Sequence, residues 1–270
     1  VVTFVTGPYS TVHRHANAAS IAGPRTLAYT RSHTNPEKSH LRTTREELVR
    51  EYRRLGWWSD TRITDLFDAA ARSAPLQLAV LDPLNRDVLV GGPPLRLTFQ
   101  DVADLADGYS LRLLELGLKR DDILVTQLPN VAEYPALYLA ALRLGIIVSP
   151  VPMQFRRHEL EQIVDLTGAR ALLTVHTLKG ADYAASAVAL GQNRPLQVLC
   201  LGADAPEGSL PFVAAALTPQ SRAVLAAHVV ALQVSADDVA TICWTSGTEG
   251  LPKGVPRTHN HWVAISYGHL

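Results

Sequence analysis

Between residues 97 and 151 the apolar positions change period repeatedly. Val102, Leu105, Ala106, Tyr109, Leu113 and Leu116 recur every three or four residues, which puts them on one face of a helix that Gly117 stops. Thr98, followed three residues later by Asp101, reads as a capping box at its start. After the polar turn KRDD comes ILVTQL, an uninterrupted apolar run suited to a strand buried on both faces. Asn130 opens the next helix, regular from Glu133 with Pro135 in its first turn, and Gly145 ends it. IIVSPV follows as a second buried strand.

The alternation continues in HELEQIVDLTGARALLTV, with a helix over 157–167, Gly168 as its C-cap and a strand over 171–175. This order predicts an α/β fold with a mainly parallel sheet flanked by helices. QVLCL at 197–201 reads as another strand and DAPEGSLP as a loop, while the Ala-rich stretches 181–195 and 212–228 read as surface helices. Upstream, TTREELVREYRRLGWW predicts a charged helix ending at Gly56, with Trp57 and Trp58 anchoring this arm on the body. Thr64 is expected to cap a helix over 65–73, with Asp65 in the first turn where the helix dipole favours an acid.

Composition divides the chain in two. Lys plus Arg and Asp plus Glu are each 25, so the formal charge is zero, yet residues 1–42 hold five basic residues against Glu37 alone. That basic leader, rich in Ser and Thr, is expected to be disordered; its composition overlaps with transit peptides, but no amphipathic Arg-bearing helix is evident. The remainder is mildly acidic, and the overall neutrality argues against a nucleic-acid binder working through bulk charge. At 47% hydrophobic and 19% charged, the chain can bury a core. The best apolar runs, 136–148 and 223–234, fall short of the roughly 20 residues needed to span a bilayer and carry Arg143 and His228. Cys200 and Cys243 lack zinc-site spacing and are expected to be buried thiols. No Asn-x-Ser/Thr sequon occurs, which agrees with a cytoplasmic location.

Candidate chemistry is concentrated in VATICWTSGTEGLPKGVPRTHN, residues 239–260. An apolar strand runs directly into a loop holding Thr245, Ser246, Gly247, Thr248, Gly250, Lys253 and Gly254. Glycines let backbone N–H groups approach a polyphosphate, hydroxyls donate further hydrogen bonds, and a lysine adds charge. Lys253 is one of only four lysines in an Arg-dominated chain, so its presence exceeds background usage. A Walker A loop needs Gly-Lys followed by Ser or Thr; here Pro252 precedes Lys253 and Gly254 follows it, so that reading fails. His259 and His261 stand two residues apart without further ligands, so no metal site is expected; His259 is expected to cap or pack a helix starting near Asn260.

The string TSGTEGLPKG resembles the phosphate-binding signature of the adenylate-forming superfamily, and residues 45–270 are similar to its N-terminal stretch. Ten consecutive matching positions behind a strand argue against an ordinary surface turn, although turns use the same residue types. The arm EYRRLGWW and the tail PRTHN look most like the branch that activates aromatic or alicyclic acids; fatty acids stay open. The resemblance implies an ATP-dependent acid–thiol ligase: a carboxylate attacks the α-phosphate of ATP, pyrophosphate leaves, and coenzyme A displaces AMP. It implies that Thr245, Ser246, Gly247, Thr248, Glu249, Gly250 and Lys253 hold the β- and γ-phosphates with Mg2+, Lys253 acting as a mobile charge. Glu249 departs from the usual Thr or Ser and would turn to solvent, meet magnesium or pair with Arg257.

The family's adenine motif with its magnesium-binding acid, its ribose aspartate and its small C-terminal domain with a late lysine do not occur in these residues. Residues 43–270 are therefore expected to be the N-terminal portion of the large AMP-binding domain, incomplete at its C-terminal side and without the C-terminal cap domain. Taken alone, the 270 residues are expected to lack ligase turnover and to self-associate through exposed apolar surface. Two alternatives stand beside the ligase: a truncated nucleotide-binding or interaction domain, and an aryl-acid adenylating enzyme that loads a carrier protein.

Overall fold

The computed structural model describes residues 43–245 and 252–267. The leader expected over 1–42 lies outside them. In chain order the elements are α1 (Glu46–Arg54), α2 (Ile63–Ser73), β1 (Leu78–Leu81), α3 (Arg86–Leu89), β2 (Arg96–Thr98), α4 (Phe99–Glu115), β3 (Ile123–Gln127), α5 (Glu133–Arg143) and β4 (Ile147–Pro150). There follow α6 (Arg157–Thr167), β5 (Ala171–Thr174), β6 (Thr177–Leu178), β7 (Ala181–Asp182), α7 (Tyr183–Gly191), β8 (Gln197–Leu201) and β9 (Leu210–Phe212). The last four are α8 (Pro219–Leu232), β10 (Val239–Thr245), β11 (Lys253–Thr258) and α9 (His259–Tyr267).

Seven strands form one sheet in the order β11-β10-β4-β3-β5-β8-β9, parallel throughout except for the antiparallel β10–β11 pair. The expected α/β architecture is therefore present. Strand alternation distributes the core over both faces. Leu124, Val148, Leu173 and Leu199 meet α4 and α5 on one side, while Ile123, Val125, Ile147, Leu172 and Val198 meet α6 and α7 on the other. The capping box of α4 forms as the pattern predicts: the Asp101 carboxylate accepts from Thr98 N–H at 2.8 Å, and Thr98 Oγ1 accepts from Asp101 N–H at 3.1 Å. Gly168 closes α6 at φ 62°, a left-handed conformation that a side chain would strain.

Several expectations are corrected. Thr64 does not cap α2; it lies inside the helix, 1% exposed, because Asp65 reaches back to accept the Arg62 N–H at 2.8 Å and starts the helix at Ile63. Residues 212–217 are not helical. Ala215 N–H donates to the carbonyl of Gly108 at 3.1 Å, and a methyl on Gly108 would stand 2.8 Å from Cβ of Ala214, so this segment runs against α4 and helix begins only at Pro219. The loop expected over DAPEGSLP ends in a strand, since Leu210 and Pro211 belong to β9 and bring Phe212 onto Tyr109, ring centroids 4.9 Å apart. Helix α7 is less superficial than expected, because Tyr183, Ala184, Ala187 and Leu190 are buried. Trp58 anchors the arm as expected, but Trp57 is half exposed. Cys200 is buried, whereas Cys243 is only partly so.

Candidate active site

The parallel strands end along one edge of the sheet, where open α/β folds bind ligands. At the ends of β3 and β5 that edge is closed by hydrogen bonds. The Gln127 amide donates to the carbonyls of Pro152 and Phe155 at 3.2 and 2.9 Å, and Thr174 Oγ1 donates to the Gln127 carbonyl at 3.2 Å. Beside β4, β10 reaches the same edge and β11 returns antiparallel to it.

The candidate loop joins these two strands. Thr245 stands opposite Lys253 in the last pair of the ladder, and both side chains are exposed. The Thr245 hydroxyl donates to the Lys253 carbonyl at 3.5 Å, a long contact that leaves it able to turn to another acceptor. Ser246, Gly247, Thr248, Glu249 and Gly250 lie outside the described residues. Lys253 and Gly254, expected in the loop, belong to strand β11. The antiparallel ladder runs to the base of the connection, so the lysine stands on a paired strand and not on a free loop.

Behind the hairpin, three consecutive residues bind α9 to the rest of the chain. Thr258 donates to His261 Nδ1 from its N–H at 3.0 Å, and Ile63 N–H donates to His259 Nδ1 at 3.4 Å. Asn260 accepts from Ser59 N–H at 3.1 Å, returns a bond to its carbonyl at 3.0 Å and donates to Asp237 at 2.8 Å. Trp58 meets the His261 ring edge-on, centroids 4.9 Å apart. Burial, aided by Arg62, pulls the His259 imidazole down to about 4, and burial with Arg257 lowers that of His261, so both act as neutral acceptors. The packing role expected for His259 is what the structure has. Among the described residues no group of three His, Cys, Asp or Glu could hold a metal. Arg257 lies over the Trp262 ring at 5.9 Å, and Trp262 donates to Thr241 Oγ1 at 2.9 Å.

Residues 68–269 match the family of AMP-binding enzymes. The chain belongs to that family. Over 219 residues it is 29% identical to the 2-hydroxy-7-methoxy-5-methyl-1-naphthoate–CoA ligase of Streptomyces carzinostaticus, covering 80% of this chain and 38% of the relative. Over 222 residues it is 27% identical to the medium-chain fatty-acid–CoA ligase of Escherichia coli (strain K12), covering 82% and 37%. The apo structure of Mycobacterium smegmatis MbtA superposes with a TM-score of 0.62 at 25% identity, covering 82% of this chain and 38% of that one. The chain thus spans less than two-fifths of the length of these relatives.

The hairpin also holds one contact that the residue pattern did not single out. Trp244, next to Thr245, donates its indole N–H to Ser149 Oγ on β4 at 2.8 Å. A tryptophan interrupting a run of smaller strand residues was the available signal.

Proposed function

We propose that the protein carrying these residues is an ATP-dependent acid–thiol ligase. A carboxylate oxygen attacks the α-phosphorus of ATP, the bond from that phosphorus to the α,β-bridging oxygen breaks, and pyrophosphate departs. The thiol sulfur of coenzyme A then attacks the acyl carbon and AMP leaves. The observation that carries this reading is the hairpin itself: in a member of the AMP-binding family, a Gly-, Ser- and Thr-rich connection joins Thr245 to Lys253 at the carboxyl edge of a parallel sheet. Negative charge builds on the departing phosphates, so donors fixed in advance lower the barrier. The Lys253 ammonium and Thr245 hydroxyl supply two, with Ser246, Gly247, Thr248, Gly250 and the backbone N–H of Glu249 proposed to complete the cradle. Lys253 acts by charge and forms no covalent bond. Two relatives whose names specify CoA ligases, one for a naphthoate and one for medium-chain fatty acids, support coenzyme A as the acceptor. Their acids are aromatic and fatty, and the arm and tail residues add an alicyclic acid to the candidates.

The test is exchange of labelled pyrophosphate into ATP by the full gene product, across a panel of carboxylic acids. Acid-dependent exchange is expected, with Lys253→Ala lowering it about a hundredfold. No exchange with any acid rejects the ligase, and undiminished exchange in Lys253→Ala removes the lysine from the mechanism.

A further inference from the structure

Trp244 contacts both neighbours of its strand at the base of the candidate loop. Its indole nitrogen is hydrogen-bonded at 2.8 Å to Ser149, whose side chain is fully buried on β4. Its six-membered ring lies against β11 on the other side. A methyl group on Gly254, the residue opposite Trp244 in the ladder, would stand 3.1 Å from Cη2 and 3.2 Å from Cζ3 of the indole, and 3.0 Å from Cγ2 of Ile242. All three separations are tighter than ordinary carbon contacts, so a methyl at Gly254 fits only where the indole or Ile242 gives way by a few tenths of an ångström. Ser149, Trp244 and Gly254 therefore make a brace across β4, β10 and β11. The pair immediately beyond it is Thr245 and Lys253.

We propose that Trp244 is a positioning residue for ATP: the brace sets the spacing and twist of the hairpin stem, and through them the place where the Lys253 ammonium meets the polyphosphate. The proposal rests on the ligase reading above. Binding groups must be held within about 0.5 Å of their productive place, and a half-buried ring tied at both ends can do this for an exposed lysine whose side chain makes no hydrogen bond among the described residues.

The test compares Trp244→Phe, Ser149→Ala, their double variant and Gly254→Ala in the exchange assay, with Val198→Ala on β8 as a control that weakens the sheet elsewhere. Trp244→Phe and Ser149→Ala are each expected to raise the KM for ATP five- to tenfold, about what one buried hydrogen bond is worth, with the KM for the acid unchanged. Because both remove the same bond, the double variant is expected to match the worse single one. Gly254→Ala is expected to exceed tenfold, since the methyl drives the indole off β11. An unchanged KM for ATP, an effect equal to that of Val198→Ala, or fully additive losses would overturn the brace. If the wild-type protein gives no exchange, the ligase reading falls separately, and calorimetric ATP affinity then decides the brace. A five- to tenfold weakening in the same variants supports it; equal affinities, or no binding by the wild type, overturn it.

Discussion

His259 shows how one side chain ties the candidate loop's flank to the N-terminal helices. Its ring is 1% exposed and accepts the N–H of Ile63, so only the neutral form fits. The folded imidazole titrates near 4 and the unfolded one near 6.5. The unfolded chain therefore takes up this proton first as pH falls. The contribution of His259 is complete above 6.5 and is lost progressively toward 4, on the order of 3 kcal/mol in all. Urea unfolding of wild type and His259→Gln at several pH values should show their stability difference narrowing by that amount between pH 7 and 4. A constant difference would contradict the neutral-acceptor role. Lys253 and Trp244 complete the residue scale: one is exposed and offers charge, the other is half buried and holds the strand from which that charge is presented.

At the scale of elements, α1 docks on the body through side chains. None of its residues is buried, and it docks through Trp58, the Ser59–Asn260 pair and the Arg53–Asp237 ion pair at 2.9 Å. Asn260→Ala should accelerate hydrogen exchange of the α1 amides at least tenfold while leaving those of β3 unchanged, because the arm and α9 lose a tie and the central strand does not. Equal protection in both proteins would show that Trp58 suffices. The buried elements are legible in the residue pattern, since helices α4, α5 and α6 stop at Gly117, Gly145 and Gly168 and strands β3 and β4 are continuous apolar runs between them. Elements made by tertiary contact were not. β9 is only three residues long and exists because it pairs with β8, and the extended stretch before α8 follows from a missing side chain at Gly108. Likewise, the motif announced the loop but not the strand pairing that makes Lys253 the first residue of β11, because an antiparallel ladder depends on both strands. The Ser149–Trp244 bond joins residues 95 positions apart, beyond the reach of any local pattern.

At the scale of the whole molecule, a parallel sheet covered on both faces places the β10–β11 hairpin at its carboxyl edge in a chain of the AMP-binding family. In the proposed ligase a carboxylate attacks the α-phosphorus of ATP there. The most direct measurement gives the full gene product an accepted acid labelled with 18O in its carboxylate, together with ATP and coenzyme A, and follows the label by mass spectrometry. Attack at the α-phosphorus predicts one labelled oxygen per AMP formed, matched by acyl-thioester and pyrophosphate. Label appearing instead in inorganic phosphate alongside ADP, or thioester forming with unlabelled AMP, would contradict it.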